Sequence, residues 1–246
     1  MRKPRKETLS STGLFHKMWR GHNREPVFEE DDDKVSYLRH LARTRSREIV
    51  AAVVMYSYVL MTNHTHESGG PASREIAAAL GKLVELLGNW MRNGHSGFGA
   101  EFNRRHKRQG KVAYDRPKTK EIDGDEGVLD VMFYGDANPV RAGMVSHPAL
   151  YRWSSHRFYA YGETNEHTEM LTPPPAYLAL GKTPAARQKK YRSLMDRYLR
   201  KNGLIDDRPL EDVDGPAADG DTEVGATEVT HGHNHAVGPP HQPPST

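Results

Sequence analysis

The chain has 246 residues, 36% of them hydrophobic and 27% charged, with a formal net charge of +3, a length that suits one ordinary domain with a real core plus a tail. No apolar run approaches the roughly 20 residues needed to cross a bilayer, and the basic N-terminus lacks the apolar stretch of a secretory signal, so a cytoplasmic protein with no membrane partner is expected. Cysteine is absent, which excludes disulfides, thiolate metal sites and cysteine nucleophiles and leaves any metal to His, carboxylate or amide ligands.

In chain order, residues 1–12 read as a disordered basic arm. Leu14 to Trp19 is a short strand, followed by the loop Arg20-Gly-His-Asn-Arg24. Acidic residues open a helix over Asp31–Glu48, where Val35, Leu38 and Leu41 recur at helical spacing. Ile49–Met61 carries the strongest strand signal, Val- and Tyr-rich and apolar on both faces, as a covered central strand would be. His64-Thr-His66 falls at its end, before a break at Gly69-Gly-Pro71. Ser73 caps an amphipathic helix to Met91, with Ile76, Leu80, Leu83 and Leu87 on one stripe. Residues 101–120 read as a basic loop and short hairpin, turning at Gly110. Asp125–Ala137 is a second amphipathic helix, stopped by Pro139. The aromatic piece from Tyr151 to Tyr161 packs back on the core, and Ala185–Lys201 is a basic helix ended by Gly203. From about residue 206 the chain is acidic, then rich in His, Gly and Pro, the composition of a disordered tail. This order of elements predicts α+β, an antiparallel sheet with helices mainly on one face.

Charge is unevenly placed. From Asp206 onward there are nine acidic residues against Arg208, a net −8 that leaves +11 on the rest of the chain. The positive charge gathers in residues 1–24, which include Arg20 and Arg24, and in residues 101–120. The second stretch holds Arg104, Arg105, Lys107, Arg108, Lys111, Arg116, Lys118 and Lys120. Such clusters suit a polyphosphate partner, or are simply a solvated basic surface. Phe102 and Tyr114, interleaved among them, are candidates for stacking on bases.

Two groupings could carry chemistry. In a strand, His64 and His66 share a face, because side chains alternate with period two, so both imidazoles could bind one divalent ion. The spacing alone is weak evidence: the chain has 14 histidines, and the tail repeats the pattern in His231-Gly-His233-Asn-His235. Tyr134 and Asn138 lie four apart on one helix face. They read either as a reactive tyrosine with a polar neighbour or as a core tyrosine followed by a helix-terminal Asn.

Four blocks bear on that choice. Tyr58-Val-Leu-Met-Thr-Asn-His-Thr-His66 resembles the segment AYVLMPNHVHLLV of the single-tyrosine HUH transposases, especially the REP-associated tyrosine transposases. Arg20-Gly-His-Asn-Arg24 with Pro26-Val-Phe28 is similar to that family's RGNNR-x-P-I-F. Tyr134-Gly-Asp-Ala-Asn-Pro-Val-Arg-Ala-Gly-Met-Val145 is similar to Y-x-x-x-N-P-V-R-A-G-L-V, and Trp153-Ser-Ser155 after His147-Pro148 to its W-S-S. The blocks stand in family order over residues 14–162.

The resemblance implies a catalytic domain over 13–162 with a ferredoxin-like sheet, a C-terminal extension over 163–205 and a tail over 206–246. It implies His64 and His66 as metal ligands, Asn138 where a third polar ligand sits, and Tyr134 as the nucleophile. Arg20, Asn23 and Arg24 join Arg104, Arg105, Lys107, Arg108, Lys111, Arg116 and Lys118 as the DNA-binding set. The implied activity is metal-dependent cutting and rejoining of single-stranded or hairpin DNA through a 5′-phosphotyrosine, with Mg²⁺ or Mn²⁺, by a monomer or homodimer. Two departures stand out: Thr65 replaces a hydrophobic residue, and Glu67-Ser-Gly-Gly70 replaces L-L-V. The second predicts a shortened strand with a carboxylate beside the site, which makes Glu67 a further ligand or the mark of a degenerate, DNA-binding relative. A third reading, metal buffering, would place metal affinity in residues 231–241.

Overall fold

The computed structural model describes residues 5–9, 11–113 and 115–206. Residue 114 and residues 207–246 lie outside that set, and with them the stacking expected of Tyr114 and every expectation for the acidic and His-rich tail. In chain order the elements are α1 (Arg5–Thr8), β1 (Phe15–Arg20), α2 (Asp31–Arg43), α3 (Arg47–Ala52), β2 (Val53–Leu60), β3 (His64–Pro71), α4 (Arg74–Ala78) and α5 (Leu80–Arg105). There follow β4 (Lys118–Glu121), α6 (Gly124–Asp136), α7 (Asn138–Arg141), α8 (His156–Tyr161), α9 (Pro175–Leu178) and α10 (Pro184–Lys201). Every strand pairing is antiparallel, in the order β2-β3-β1-β4. With α2 between β1 and β2, and α5 between β3 and β4, this is the ferredoxin-like β-α-β-β-α-β path.

Alternation in β1 separates two faces. Phe15, Lys17 and Trp19 enter a core shared with α2 and α5, where Tyr37, Leu41, Leu83, Leu87, Trp90, Phe98 and Phe102 are buried. His16, Met18 and Arg20 face the other way. On that second face a smaller core joins Tyr56 to α6 through Val128, Met132 and Phe133, and to α8 and α10 through Tyr159, Tyr191, Met195 and Leu199. Helices mainly on one face thus describes α2 and α5, the helices within the β-α-β-β-α-β unit, whereas α6, α8 and α10 pack against the opposite face.

Several local expectations divide differently. The arm is ordered from Arg5: α1 forms, Leu9 is buried in the main core, and the Glu121 carboxylate accepts from the backbone N–H groups of Ser11, Thr12 and Gly13 at 2.9, 2.7 and 3.2 Å. One apolar residue in a polar stretch leaves no periodicity to read. The expected Asp31–Glu48 helix closes at Arg43, where the Thr44 hydroxyl donates to His40 O at 2.8 Å; Ser46 then caps α3, its hydroxyl accepting from Ile49 N. The apolar run from Ile49 therefore begins as helix, and β2 starts only at Val53. Short apolar runs do not distinguish the two states. The helix expected over Ser73–Met91 breaks at Ala79 into α4 and α5, and α5 runs on through Gly94, Gly97 and Gly99 to Arg105, so Arg104 and Arg105 are helical rather than loop. Gly97 leaves room for a side chain of α2, since a Cβ there would stand 2.5 Å from His40 Nδ1.

The largest difference concerns the histidine segment. Met61-Thr62-Asn63 form a hairpin turn, with Met61 N donating to His64 O at 2.8 Å, so His64 opens β3 instead of ending β2. Nor does the strand stop after His66. It continues through Glu67-Ser68-Gly69-Gly70 between β2 and β1. Gly69 is a packing requirement here and not a breaker: a Cβ would lie 2.2 Å from Val54 O and 2.7 Å from Phe15 Cζ.

Glu67 consequently lies on the α2/α5 face. Its carboxylate is 1% exposed and meets the fully buried Lys17 Nζ at 2.9 Å, accepts from Tyr37 Oη at 2.6 Å and accepts from Thr65 Oγ1 at 2.8 Å. Lys17 also donates to Tyr37 Oη and lies 3.1 Å from His95 Nε2. Both departures from the family pattern, Thr65 and Glu67, thus belong to one buried ionic cluster behind the histidines. Removing one member of a buried pair strands the other charge, at about 3–5 kcal/mol. Glu67→Leu is expected to lower the urea-unfolding free energy by that order while leaving metal affinity unchanged; unaltered stability would refute this account.

Candidate active site

Register brings the face together. In β1–β3 pairing, Arg20 stands opposite His64 and Met18 opposite His66, while Met18 also pairs with Lys118 on β4. His64 and His66 share a face, their rings 5.0 Å apart between centroids. A third histidine joins them, which single-sequence reading missed: His16 stacks on His66 at 5.0 Å, and its Nε2 lies 2.8 Å from His66 Nδ1. The signal was its parity with Arg20 along β1, legible only once β1 is known to lie beside β3.

Burial is the largest cause holding all three imidazoles neutral near pH 7. His16 and His64 are lowered to about 4, helped by Lys120 and Arg20 respectively. His66 is lowered to about 3, with His16, His64 and Arg20 adding to the effect of burial. A neutral imidazole is the form that binds metal. The Oδ1 of Asn63 lies 2.7 Å from His64 Nδ1 and can only accept, so Nδ1 carries the proton and Nε2 keeps its lone pair. Asn63 Nδ2 meanwhile donates to Arg24 O at 2.8 Å, tying the histidine turn to the arginine loop. The same logic gives His66 a free Nε2 when its Nδ1–H donates to His16, the usual support for a ligating histidine.

The donor chemistry therefore fits a divalent ion on two imidazoles. Among the described residues no group of three or more His, Asp or Glu side chains is arranged to hold a metal. The described contact of His16 is with His66, which it stacks on and meets through Nε2. An imidazole pair suits Mn²⁺ better than Mg²⁺, which prefers oxygen.

Tyr134, near the end of α6, projects over this face. Its ring lies edge-on to His66 at 5.5 Å and to His16 at 6.0 Å, yet is 40% exposed. A core tyrosine would be covered; this one is open to a ligand while touching the histidines. Asn138 does not continue α6. It starts α7, and its amide nitrogen donates to Tyr134 O at 2.7 Å and Gly135 O at 3.4 Å, closing the turn that carries the tyrosine. None of its described contacts reaches a histidine.

The basic residues fall into two groups. A pocket of about 560 Å³ beside the histidines is lined by Met18, Arg20, Asn23, Arg24, Asp115, Arg116 and Lys118. Asn23 and Arg24 hold positive φ, 50° and 62°, a costly conformation for residues with side chains that is typical of ligand clamps. Arg20 Nε is buried with no hydrogen-bond partner. Along α5 the picture differs. Arg105 is engaged by Asp33 and Glu101 at 2.7 and 2.9 Å, and Arg108 by Glu25 at 3.0 Å. Arg104, Lys107 and Lys111 are exposed. Phe102 is fully buried, which removes it as a stacking platform for bases. No helix among the described residues is long and apolar enough to cross a membrane.

Fold and site together define an antiparallel α+β protein with a histidine pair and an open tyrosine on one sheet face. A solved structure of a REP-associated tyrosine transposase bound to a REP hairpin is similar to this chain, with 14% identity, a TM-score of 0.45, and coverage of 67% of this chain and 89% of that one. No family model matches the chain, and no curated protein does. Likeness at this level concerns the path of the backbone, and function has to be argued from the site.

Proposed function

We propose that this protein is a transposase-like nuclease that cuts and rejoins single-stranded or hairpin DNA, with Tyr134 as nucleophile. The observation that carries the reading is the exposed Tyr134 ring against His66, in one chain, on the face that His64 and His66 share. Three of the four sequence blocks converge there: the arginine loop, the histidine turn and the tyrosine helix all border this face. A divalent ion on His64 and His66 would supply positive charge to the scissile phosphate.

Tyr134 Oη attacks phosphorus in line, forming one P–O bond as the bond to the 3′ oxygen breaks. The phenol proton ends on the departing 3′ oxygen, leaving a 5′-phosphotyrosine and a free 3′-OH. One phosphodiester replaces another, so no external energy source is needed, and a 3′-OH of another strand can reverse the step. Arg20, Arg24, Arg116 and Lys118 hold the backbone beside the histidines, and Arg104, Lys107 and Lys111 extend the cationic surface. The reading of a degenerate, purely DNA-binding relative took its motive from Glu67, which lies on the far face.

The test is incubation of the protein with hairpins from the flanks of its own gene, with Mn²⁺ or Mg²⁺ or with chelator, followed by denaturing electrophoresis. A metal-dependent protein–DNA adduct is expected; metal-dependent cleavage with no adduct would point to activated water instead. The pocket is tested separately. Arg24→Ala with Arg116→Ala and Lys118→Ala should weaken hairpin binding by about tenfold or more near 0.1 M salt. Its salt dependence should flatten too, by roughly 0.7 in log–log slope for each single-strand phosphate no longer neutralised. An unchanged salt slope would move the DNA path elsewhere.

A further inference from the structure

Helix α10 lies beyond the four sequence blocks, yet it grips α6 and α7 on both sides of Tyr134. On the buried side, Tyr191 Oη donates to Asp136 Oδ2 at 2.8 Å, and His156 Nδ1 of α8 lies 2.9 Å from the same oxygen. On the open side, Arg141 of α7 lays its guanidinium over the Tyr134 ring, 5.2 Å from Cζ to the centroid, and over the Tyr198 ring at 5.8 Å. Its Nη2 donates to Tyr198 Oη at 3.2 Å and to Asn202 Oδ1 at 3.5 Å. Asn202, the C-cap of α10, is itself fixed by Nδ2 donating to Tyr198 O at 2.8 Å.

An exposed side chain changes rotamer on the picosecond-to-nanosecond scale unless its neighbours hold it. Swinging a tyrosine about χ1 carries its hydroxyl through several ångströms, far more than in-line attack tolerates. The core cannot hold a ring that is 40% exposed. What flanks it is the His16 and His66 edge contact on one side and Arg141 on the other. The guanidinium lies over the ring while its Nη2 donates to Tyr198 and Asn202. A lysine ammonium is a compact point charge on a flexible stem and lacks the planar fork that pre-organises this geometry.

We propose that α10 is a positioning element for Tyr134, acting through Arg141, so that the C-terminal extension sets the rate of the tyrosine chemistry. The inference rests on Tyr134 being the nucleophile. Arg141 is a positioning residue in this arrangement, and Tyr198 and Asn202 in turn position Arg141. Exposed polar links of this kind add little to stability, so their loss should appear in the rate of attack and not in folding or DNA affinity.

The experiment uses the full chain and a flank-derived hairpin under single-turnover conditions, with amide hydrogen exchange measured on the DNA-free protein. Arg141→Ala, and the double variant Tyr198→Ala with Asn202→Ala, should slow adduct formation by about 10- to 100-fold, the cost of a displaced reacting group. Hairpin affinity should stay within about twofold, and exchange over residues 134–142 should accelerate. Arg141→Lys should remain slow. Full rate in Arg141→Lys would mean that charge alone suffices and would overturn the positioning role. Wild-type adduct rates and exchange in the alanine variants, with Tyr134→Phe inactive, would overturn it as well while leaving Tyr134 as nucleophile. Adduct formation by Tyr134→Phe would instead overturn the reading underneath.

Discussion

Tyr134→Phe is expected to abolish both the covalent adduct and product formation, with hairpin binding and melting temperature unchanged. The change removes one oxygen from a side chain whose ring, still present, keeps its edge contacts with His16 and His66 and its place beneath Arg141. Four of the other tyrosines are closed to DNA. Tyr37, Tyr159 and Tyr191 are fully buried, with hydroxyls pushed well above the ordinary tyrosine range chiefly by burial. Tyr58, held up mainly by the same cause, is also buried, and none of these can reach a DNA strand without unfolding. The adduct should map to the 5′ end of the downstream fragment, leaving the upstream fragment with a 3′-OH. Denaturing electrophoresis with end-labelled hairpins reads both, and an adduct on the Phe variant would end the assignment.

His64→Ala and His66→Ala are each expected to reduce cleavage to background, again with hairpin binding retained. Each change removes one of the two imidazoles proposed to hold the ion. Chelator should have the same effect on the unmodified protein, and Mn²⁺ should restore activity at lower concentration than Mg²⁺. His16→Ala should be milder, since it removes a partner of His66 and not a ligand; removal of such outer partners costs roughly 10- to 100-fold. Because Tyr134 and the histidines meet within one chain, mixing inactive Tyr134→Phe with inactive His66→Ala protein should not recover activity. Recovery on mixing would show that the working site is shared between chains.

Much of this was legible in the residues. The order of the four blocks came from their resemblance to a known family, while the strand around Phe15, the tyrosine helix and the basic helix to Lys201 needed only periodicity and spacing, which are local properties of a chain. The same is true of the histidines' common face, since alternation holds wherever a strand begins. What the sequence could not supply was pairing. Whether His64 ends one strand or opens the next depends on a turn at Met61-Thr62-Asn63 that carries no glycine or proline to announce it. Glu67 reads as a carboxylate beside the metal ligands only while adjacency in sequence stands in for adjacency in space. One step along β3 reverses the face, and Lys17 on the neighbouring strand then decides where the charge belongs.

Composition by itself determined that any metal must rest on nitrogen or oxygen and that the body is cationic, and the resemblance carried by the four blocks singled out His64, His66 and Tyr134. Tertiary structure alone decided that His16 supports His66, that Arg105 and Arg108 are bound to carboxylates while Arg20 and Arg24 line a pocket, and that α10 reaches back to Arg141. The physical reason is common to all of these. Each depends on hydrogen bonds and ion pairs between residues 50 to more than 70 positions apart in sequence, and neither periodicity nor composition carries information at that range.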